Sequence, residues 1–330
     1  MSPDEPLLAV EALTLSFRTP DGRVRALDEV GFAVRRGEVM GFVGESGSGK
    51  SVTALAILGL LPPHATVVEG GRILFRGQDL LTLRAGEIER IRGKAIGIVF
   101  QSPGASLNPL LRVGTQLEEV IRVHRRIDAT AARREAEGLL ERVGLTPTVR
   151  RAYPHELSGG MQQRACIAIA VSCHPDLLIA DEPTSSLDVS IQAQILDLLR
   201  ELRASRLIQS IIFITHDFGL VDLLCDRVTV LYAGQVVEAG PTPEVLRRPQ
   251  HPYTRGLLAA IPRLDRRGTD LGYIPGGVPN LLVPPPGCRF HPRCPDAMAT
   301  CRAARPAVTS PGAERSVRCH LFQAEPAAVG

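Results

Sequence analysis

Several residue types and patterns are scarce in this chain, and each scarcity narrows its function. Among 330 residues there is no tryptophan and there are only four tyrosines, which argues against a surface that stacks on nucleic-acid bases. The formal net charge is +3, so neither nucleic acid nor an acidic membrane is expected as the main partner. No run of 18 apolar residues occurs, and no transmembrane helix is predicted.

Signals for export are also lacking. The first residues, MSPDEPLLAVEALTLSF, have neither the basic start nor the long apolar stretch of a secretory signal. We therefore expect a cytosolic protein whose seven cysteines stay reduced unless they bind metal. A hydrophobic fraction of 44% is sufficient for a substantial core.

Lysine is scarce as well, and one of the two lysines lies in a motif. Of 38 basic residues, only Lys50 and Lys94 are lysine and the other 36 are arginine. Lys50 belongs to GESGSGKS, Gly44–Ser51, which fits the phosphate-loop pattern G-x-x-x-x-G-K-[ST]. Such a loop points backbone N–H groups at the phosphates of ATP, while Lys50 would place its charge on the β/γ-phosphates and Ser51 would offer its hydroxyl to Mg²⁺.

The flanks of this motif have the order that phosphate binding at a helix N-terminus requires. Val39–Val43 is a short apolar strand, and the proline-free apolar segment Val52–Leu61 is typical of a helix. The predicted nucleotide contacts are Gly44, Glu45, Ser46, Gly47, Ser48, Gly49, Lys50, Ser51 and Val52.

The pattern after the loop predicts an α/β fold with a parallel sheet and helices on both faces. Short apolar runs at Leu177–Ala180 and Ser210–Thr215 are typical of buried parallel strands, and Val228–Tyr232 with Gln235–Glu238 predicts a hairpin. Helical spacing over residues 113–143 predicts an insert of helices within about 102–160.

Two acidic residues, Asp181 and Glu182, follow the first of those strands. Side chains at the carboxyl end of a parallel strand project into the ligand crevice. Asp181 would hold Mg²⁺ through its water shell, and Glu182 would accept a proton from the attacking water or polarise it. The alternative is an ordinary pair of loop charges, against which Pro183-Thr184 and the nearby Asp188 argue.

A second glycine motif, LSGGMQQR, occupies Leu157–Arg164. Ser158 has the character of a helix N-cap, and the free N–H groups of Gly159 and Gly160 would form an anion site with its hydroxyl. The predicted insert separates this site from the phosphate loop of the same chain. We therefore expect it to serve nucleotide on a neighbouring subunit.

Together the two motifs resemble those of ABC-type ATPases, in which the second contacts nucleotide held by another copy of the domain. The resemblance implies a P-loop NTPase core with an antiparallel β subdomain and a helical subdomain. It implies that Phe17 stacks on adenine in place of the usual tyrosine, that Gln101 reaches Mg²⁺ and the attacking water, and that His216 donates to the γ-phosphate and contacts the catalytic Glu182. Without the resemblance, the expected roles would be a core residue for Phe17, a surface residue for Gln101 and a structural residue for His216. Met161 replaces the glutamine of the commonest signature, and similar peptide-import ATPases also carry methionine there.

Three further features are similar to those of the ATP-binding subunits of oligopeptide and dipeptide importers. They are SLNP at Ser106–Pro109, HPYT at His251–Thr254, and a cysteine-bearing tail. The resemblance implies an ATPase domain over 1–247 and an extension over 248–330. It also implies a second ATPase subunit (a paralogue or a second copy), two permeases, an extracytoplasmic solute-binding protein, and a peripheral location on the cytoplasmic face of the cell membrane. An importer of nickel, glutathione or opines remains an alternative, as does a soluble ABC ATPase, against which the single phosphate loop and the lack of long heptads argue.

The tail is rich in proline, with 15 of the 26 prolines at or beyond Pro241. We predict a helix near Tyr253–Ala260 and then an irregular segment that needs another device to hold its shape. Cysteines at 288, 294, 301 and 319 suit iron–sulfur or zinc, although paired C-x₂-C spacing is absent. The resemblance implies that Cys288, Cys294, Cys301 and Cys319 bind a [4Fe-4S] cluster; zinc and free thiols are the alternatives. The remaining cysteines, Cys166, Cys173 and Cys225, are predicted core residues.

Overall fold

The computed structural model describes residues 5–185, 187–261, 272–312 and 314–323. Within them the strands are β1 (Leu8–Thr19), β2 (Gly22–Val34), β3 (Val39–Val43), β4 (Thr66–Phe75), β5 (Gln78–Asp79), β6 (Ile96–Val99), β7 (Leu177–Asp181), β8 (Ser210–Thr215), β9 (Arg227–Tyr232), β10 (Gln235–Pro241), β11 (Thr309–Gly312) and β12 (Arg315–Val317). The helices are α1 (Lys50–Ile57), α2 (Ala85–Ile91), α3 (Pro103–Ser106), α4 (Val113–Arg125), α5 (Ala129–Arg142), α6 (Gly159–Val171), α7 (Val189–Ala204), α8 (Phe218–Leu224), α9 (Thr242–Arg247), α10 (Pro252–Ala259) and α11 (Ala299–Ala303).

Contacts along the chain divide it into two units. The first comprises Met1–Leu7, Val34–Val39 and Asp79–Thr215, and the second comprises Leu8–Ala33, Met40–Gln78 and His216–Gly330. The residues after 247, predicted as a separate extension, group with the phosphate loop and the N-terminal strands in the second unit.

The first unit is built on three parallel strands. β7 pairs with β6 on one side and with β8 on the other, and every residue of β7 and β8 is buried. Unbroken apolar runs give strands of this kind because both faces of a parallel sheet are covered. On α7 the buried residues Ile195, Leu198, Leu199 and Leu202 have the i, i+3, i+4, i+7 spacing of one helix face.

Within the range of the predicted helical insert, the first unit has two main helices, α4 and α5. α4 buries Val113, Leu117 and Ile121, and α5 buries Ala136 and Leu140, which is the i, i+4 spacing of one apolar face. The chain breaks between them at Arg126, whose φ is 53°, before Asp128 caps α5 by accepting from the N–H groups of Thr130 and Ala131.

The second unit combines a parallel pair with antiparallel strands. β3 pairs in parallel with β9, and β9 and β10 form the predicted hairpin. β1 pairs antiparallel with β4, and Phe17 lies opposite Thr66. The predicted antiparallel β subdomain is therefore present.

The tail of the second unit is more regular than its prolines suggest. β12 pairs antiparallel with β10, with Glu238 opposite Val317, so the prediction of an irregular tail was wrong for this part. A buried ion pair joins Arg315 Nη2 to Glu238 Oε1 at 2.6 Å, and Arg289 Nη2 lies 2.9 Å from Asp28 Oδ2. Buried charges and strand pairing, which the sequence pattern did not reveal, therefore attach this segment. Residues 262–271 lie outside the described part of the chain.

None of the helices in the described residues has the length and apolar character needed to span a membrane.

Candidate functional site

The phosphate loop joins β3 directly to α1. Gly49 precedes α1 with φ at 107°, and no side chain caps the helix. A Cβ at Gly49 would meet Leu27 Cδ2 at 3.0 Å and the Ala26 carbonyl oxygen at 3.3 Å, so both the backbone angle and the space demand glycine. Gly49 has no side chain that could cap the first-turn N–H groups of α1, as an anion-binding helix start requires.

Lys50 and Ser48 lie inside this loop in a form suited to phosphate. Lys50 is 5% exposed, and its Nζ donates to the carbonyl oxygens of Gly44 at 2.8 Å and Glu45 at 3.1 Å. Ser48 is fully buried, and its Oγ has no hydrogen-bond partner within the described residues. A buried hydroxyl without a partner is costly. These groups fit the phosphates of a nucleotide, and Ser51, exposed at the second position of α1, has the hydroxyl that Mg²⁺ would need.

The predicted catalytic carboxylate lies next to the predicted glutamine in the first unit. Asp181 is the last residue of β7 and is 7% exposed. Glu182 follows it with φ at 44°, an unfavourable angle for a residue with a Cβ. Its N–H donates to the Ile214 carbonyl at 2.9 Å, and Gln101 Nε2 donates to Glu182 Oε2 at 2.9 Å. The structure therefore brings Gln101 and Glu182 together, and their roles toward the attacking water stay predictions.

The signature residues begin α6, also in the first unit. Ser158 is the N-cap, and its Oγ accepts from the Met161 N–H at 3.3 Å. Ser158 and Gly159 are exposed, whereas Gly160 and Met161 are partly covered. Gly160 packs closely, because a Cβ there would lie 3.0 Å from Ile191 Cγ2. The N-terminus of α6 is therefore accessible to an anion from outside the chain.

Phe17 and His216 lie in the second unit. Phe17 is half-buried near the end of β1, so part of its ring is accessible, and it is not a fully buried core residue. His216 is exposed and follows β8 directly, just before Asp217 caps α8 by accepting from the Gly219 N–H at 2.7 Å. Their assigned roles toward adenine and the γ-phosphate stay predictions.

Two residues that the motif analysis did not assign contact the phosphate loop. Tyr253 Oη accepts from the Glu45 N–H at 2.9 Å, and Arg293 pairs with the Glu45 carboxylate at 2.7 and 2.9 Å. Tyr253 belongs to HPYT, a motif that carries the resemblance to peptide importers and has no predicted role in the site. Arg293 had no sequence signal, because a contact across 248 positions leaves no local pattern.

The four tail cysteines lie in one region but do not form a ligand set in this structure. All four are free thiols, and the Cys288 N–H donates to the Cys301 carbonyl at 2.9 Å. Burial raises the pKa of Cys294 and of Cys319 to about 11. Burial, with smaller effects from Cys301 and Cys294, also raises the pKa of Cys288. Among the described residues no three His, Cys, Asp or Glu side chains are grouped so as to hold a metal ion, so the expected four-cysteine metal site is not shown. Cysteine thiols are suitable metal ligands, but in this structure the four sulfur atoms do not surround a common point where a metal could bind.

The other cysteines pack as predicted in two cases of three. Cys166 and Cys225 are buried, and burial raises the pKa of Cys166 to about 12. Cys173 is only half-buried and lies 3.8 Å from the Ser172 hydroxyl, so it is not a core residue.

Family models match the N-terminal half of the chain and a segment in its C-terminal part. The model described as ABC transporter matches residues 27–185, and the model described as oligopeptide/dipeptide transporter, C-terminal region, matches residues 237–301. A model for an AAA domain matches residues 149–222, across the signature and the Asp181-Glu182 strand.

Individual relatives cover nearly the whole chain. The dipeptide transport ATP-binding protein DppD of Bacillus subtilis is 47% identical over 96% of this chain and 95% of its own length. The oligopeptide transport ATP-binding protein OppD of Salmonella typhimurium is 47% identical over 95% of this chain and 94% of its own length.

Solved structures with the same fold include the ATP-binding cassette MJ0796, a dimer bound to ADP and Pi. It is 27% identical with a TM-score of 0.64, and the match covers 71% of this chain and 98% of that one. CbiO1 of Clostridium perfringens, part of the transporter complex cbiONQ, is 31% identical with a TM-score of 0.63, and the match covers 74% of this chain and 92% of that one.

Proposed function

This chain belongs to the family of ABC transporter ATP-binding proteins of dipeptide and oligopeptide import, and we propose that the residues described above hydrolyse ATP to power uptake of such peptides. It is an ATPase with the ABC cassette fold. The observation that carries the proposal is the start of α1 after Gly49, with Lys50 inside the phosphate loop and a buried Ser48 hydroxyl that has no hydrogen-bond partner in the described part of the chain.

Each residue has a separate task in the proposed hydrolysis. Lys50 and the loop N–H groups bind the β/γ-phosphates, and Ser51 with Asp181 would hold Mg²⁺, which when bound neutralises phosphate charge. Glu182 takes the proton of the attacking water or polarises it. Gln101, which donates to Glu182 Oε2 at 2.9 Å, orients that carboxylate and the water. His216 contacts the γ-phosphate, and Phe17 stacks on adenine.

The two lysines provide a direct test of this site. We expect Lys50→Ala to abolish ATP binding, measured by titration with a fluorescent ATP analogue, because the phosphates lose their buried positive partner. Lys94, exposed and remote in sequence from the motif, supplies the matched control: Lys94→Ala should bind ATP like the wild type. Equal binding by wild type and Lys50→Ala would refute the assignment.

The signature residues imply that the active form contains two ATPase subunits. Ser158, Gly159, Gly160 and Met161 begin α6 at an exposed surface, which supports a role toward nucleotide held by a neighbour. The cassette MJ0796 is solved as a dimer, which supports the same arrangement. The neighbour is either a second copy or a paralogue, and the isolated subunit should hydrolyse ATP slowly because each site lacks the donors of the other.

The same family membership supports the remaining partners. We propose that the ATPase pair binds two permease subunits on the cytoplasmic face of the membrane, and that a solute-binding protein delivers peptide from outside. In this arrangement residues 1–247 form the ATPase domain and 248–330 the extension. Uptake of labelled di- and oligopeptides by cells with and without the chain tests the cargo. Uptake of nickel, glutathione or an opine instead would establish one of the alternative importers.

We propose further that Cys288, Cys294, Cys301 and Cys319 close around a [4Fe-4S] cluster. Four cysteine thiols are the usual donors of such clusters, and metal ligation supplies folding free energy to segments with little apolar core. Because the pKa values of Cys288, Cys294 and Cys319 are raised, these thiols carry protons that the metal must displace when it binds.

Anaerobic purification followed by iron and acid-labile sulfide analysis tests this cluster. Each of the four changed to serine should lower the iron content, whereas Cys173→Ser, which alters a half-buried cysteine of the first unit, should leave it unchanged. Stoichiometric zinc without sulfide would replace the cluster by a zinc site. Absence of both metals from the anaerobic protein would refute metal binding.

A further inference from the structure

The phosphate loop contains a carboxylate close to where an anion binds. Glu45 is the second residue of the motif, and its carbonyl accepts from Lys50 Nζ at 3.1 Å. An uncompensated carboxylate at this position would repel the phosphates of ATP and compete with them for the lysine charge. The chain therefore needs to neutralise Glu45 and to hold it in place.

Arg293 supplies the neutralising charge from the C-terminal extension. Its Nη1 lies 2.7 Å from Glu45 Oε2 and its Nη2 lies 2.9 Å from Glu45 Oε1, the bidentate geometry in which guanidinium and carboxylate pair best. The Arg293 side chain is 5% exposed and the Glu45 side chain is 30% exposed. Because the pair is largely shielded from solvent, its attraction is screened less than that of a surface pair.

Arg293 is itself fixed by other contacts. Its Nε donates to the Pro275 carbonyl at 2.9 Å and its Nη2 to the Ile274 carbonyl at 3.3 Å. Its Nη1 lies 3.4 Å from Tyr232 Oη. Arg293 is therefore positioned for Glu45 by groups of its own chain.

Tyr253 holds the backbone of the same residue. Its Oη accepts from the Glu45 N–H at 2.9 Å, and its side chain is fully buried. The ring centroid lies 4.6 Å from that of Tyr232 and 5.3 Å from that of Phe290. Burial raises the pKa of Tyr253, so the hydroxyl stays protonated.

We propose that Arg293 and Tyr253, here named the Glu45 clamp, are positioning residues for ATP binding. Arg293 neutralises the Glu45 carboxylate and keeps it from the phosphates, and Tyr253 fixes the Glu45 backbone that carries one of the Lys50 acceptors. The C-terminal extension thus sets the ATP affinity of the phosphate loop from within one chain. The inference rests on the proposed role of Lys50 and its loop, so ATP binding by the wild type is the reference for every variant.

The test is a double-mutant cycle on the full-length chain, read as the dissociation constant for MgATP. Arg293→Ala should raise this constant about ten-fold, within the usual range of a coupling between sites, with a smaller change in kcat than in KM in the assembled transporter. Glu45→Gln combined with Arg293→Ala should return the constant to within about three-fold of Glu45→Gln alone. Tyr253→Phe, which keeps the ring packing, should weaken binding about three-fold.

Arg255→Ala is the matched control in the same extension. Arg255 forms an exposed ion pair with Asp296 at 2.6 Å, so its loss should leave the constant unchanged. If Arg293→Ala lowers the Tm of the nucleotide-free chain, Arg293→Lys replaces it, since lysine keeps the charge but loses the bidentate pairing, and an intermediate constant is expected.

Two outcomes would overturn the clamp. A wild-type constant in Arg293→Ala, or in Arg293→Lys where that variant is used, would show that the pairing does not set ATP affinity. A double variant as weak as Arg293→Ala would show that the arginine acts on the fold and not through the Glu45 carboxylate. Failure of the wild type itself to bind ATP would refute the phosphate-loop assignment instead.

Discussion

The chain contains two glycine–serine helix starts that are both assigned to ATP phosphates, and they are built differently. At α1 the preceding residue is Gly49 in a left-handed conformation, and no side chain caps the helix. At α6 the preceding residue is Ser158 in an extended conformation, and its own hydroxyl accepts from the Met161 N–H. The first start leaves its donors for a ligand, whereas the second satisfies one donor itself.

This difference indicates which of the two helix starts binds nucleotide before two subunits associate. The α1 start has a buried lysine beside it and is complete within its own unit, so it can bind phosphate alone. The α6 start is exposed and partly self-capped, and the cap distance of 3.3 Å is long for a hydrogen bond that a phosphate would replace. We expect α1 to set affinity and α6 to contribute only when two subunits meet.

The largest expected effect is that of a substitution at Glu182, which should nearly abolish hydrolysis and keep ATP binding. The two helix starts can then be compared in a chain that holds ATP. Glu182→Gln should keep ATP affinity and lower hydrolysis by about 10²–10⁴-fold, because the amide keeps the shape and loses the base. ATP turnover of the assembled transporter is the measurement. Glu201→Gln, on the exposed side of α7, is the control, and near-normal turnover by Glu182→Gln would remove Glu182 from its role.

The next largest effect is expected from a substitution that disrupts the α6 start and leaves the α1 start intact. Ser158→Arg should lower turnover by about a hundred-fold, because it blocks the donors that act on the transition state, while the subunit's own ATP affinity stays near that of the wild type. Turnover and binding are measured on the same preparation. Ser205→Arg, an exposed serine after α7, should change neither quantity. Loss of ATP affinity in the Ser158 variant would contradict the division of labour between the two starts.

A pair of glycine substitutions sharpens the same comparison. Gly49→Ala should weaken ATP binding about ten-fold, because a Cβ at φ 107° meets Leu27 and the Ala26 carbonyl and such strain costs about 1–3 kcal/mol. Gly159→Ala, whose Cβ would lie 3.7 Å from its nearest contact at Leu187, should bind like the wild type. Equal affinities for the two variants would show that the α1 start tolerates a side chain.

The smallest effect concerns a third helix start, which is capped by a titratable group. His251 Nδ1 accepts from the Tyr253 N–H at 3.0 Å at the start of α10. Burial, with a smaller effect from Arg255, lowers the pKa of His251 from 6.5 to about 3. Between these values the unfolded chain binds a proton that the folded chain does not, so stability falls as the pH drops below 6.5 and is full above it.

Thermal unfolding at about pH 7.5 and about pH 5 measures this dependence. His251→Asn keeps a cap acceptor but cannot titrate, so its Tm should fall by a few degrees less than that of the wild type between the two pH values. An unchanged pH dependence in the variant would show that His251 does not supply it.

Local patterns were sufficient for the parts of the fold and site that depend on neighbouring residues. Val39–Val43 and Ser210–Thr215 are strands as predicted, because apolar runs this short, bounded by glycine or polar residues, favour a buried strand over a helix. The predicted helix near Tyr253–Ala260 is α10, Pro252–Ala259. The contact between Gln101 and Glu182 was not predicted as such, because it depends on the pairing of β6 with β7.

Long-range contacts were beyond such patterns. The strand pairing of Glu238 with Val317 and the buried pair of Glu238 with Arg315 join residues that no periodicity relates. Proline content predicted an irregular tail, but three residues, Arg315–Val317, are enough for a strand when a partner edge is available. The Glu45–Arg293 pair was missed for the same reason, since a charge pair between distant positions has no sequence signature.

The separation of 248 positions between Glu45 and Arg293 has a consequence for the order of synthesis. At about 5–20 residues per second, a ribosome adds Arg293 roughly 12 to 50 seconds after Glu45. During that interval Glu45 has been synthesised and its partner Arg293 has not. From the proposed clamp we expect a nascent chain that stops short of Arg293 to bind ATP more weakly than one that contains it.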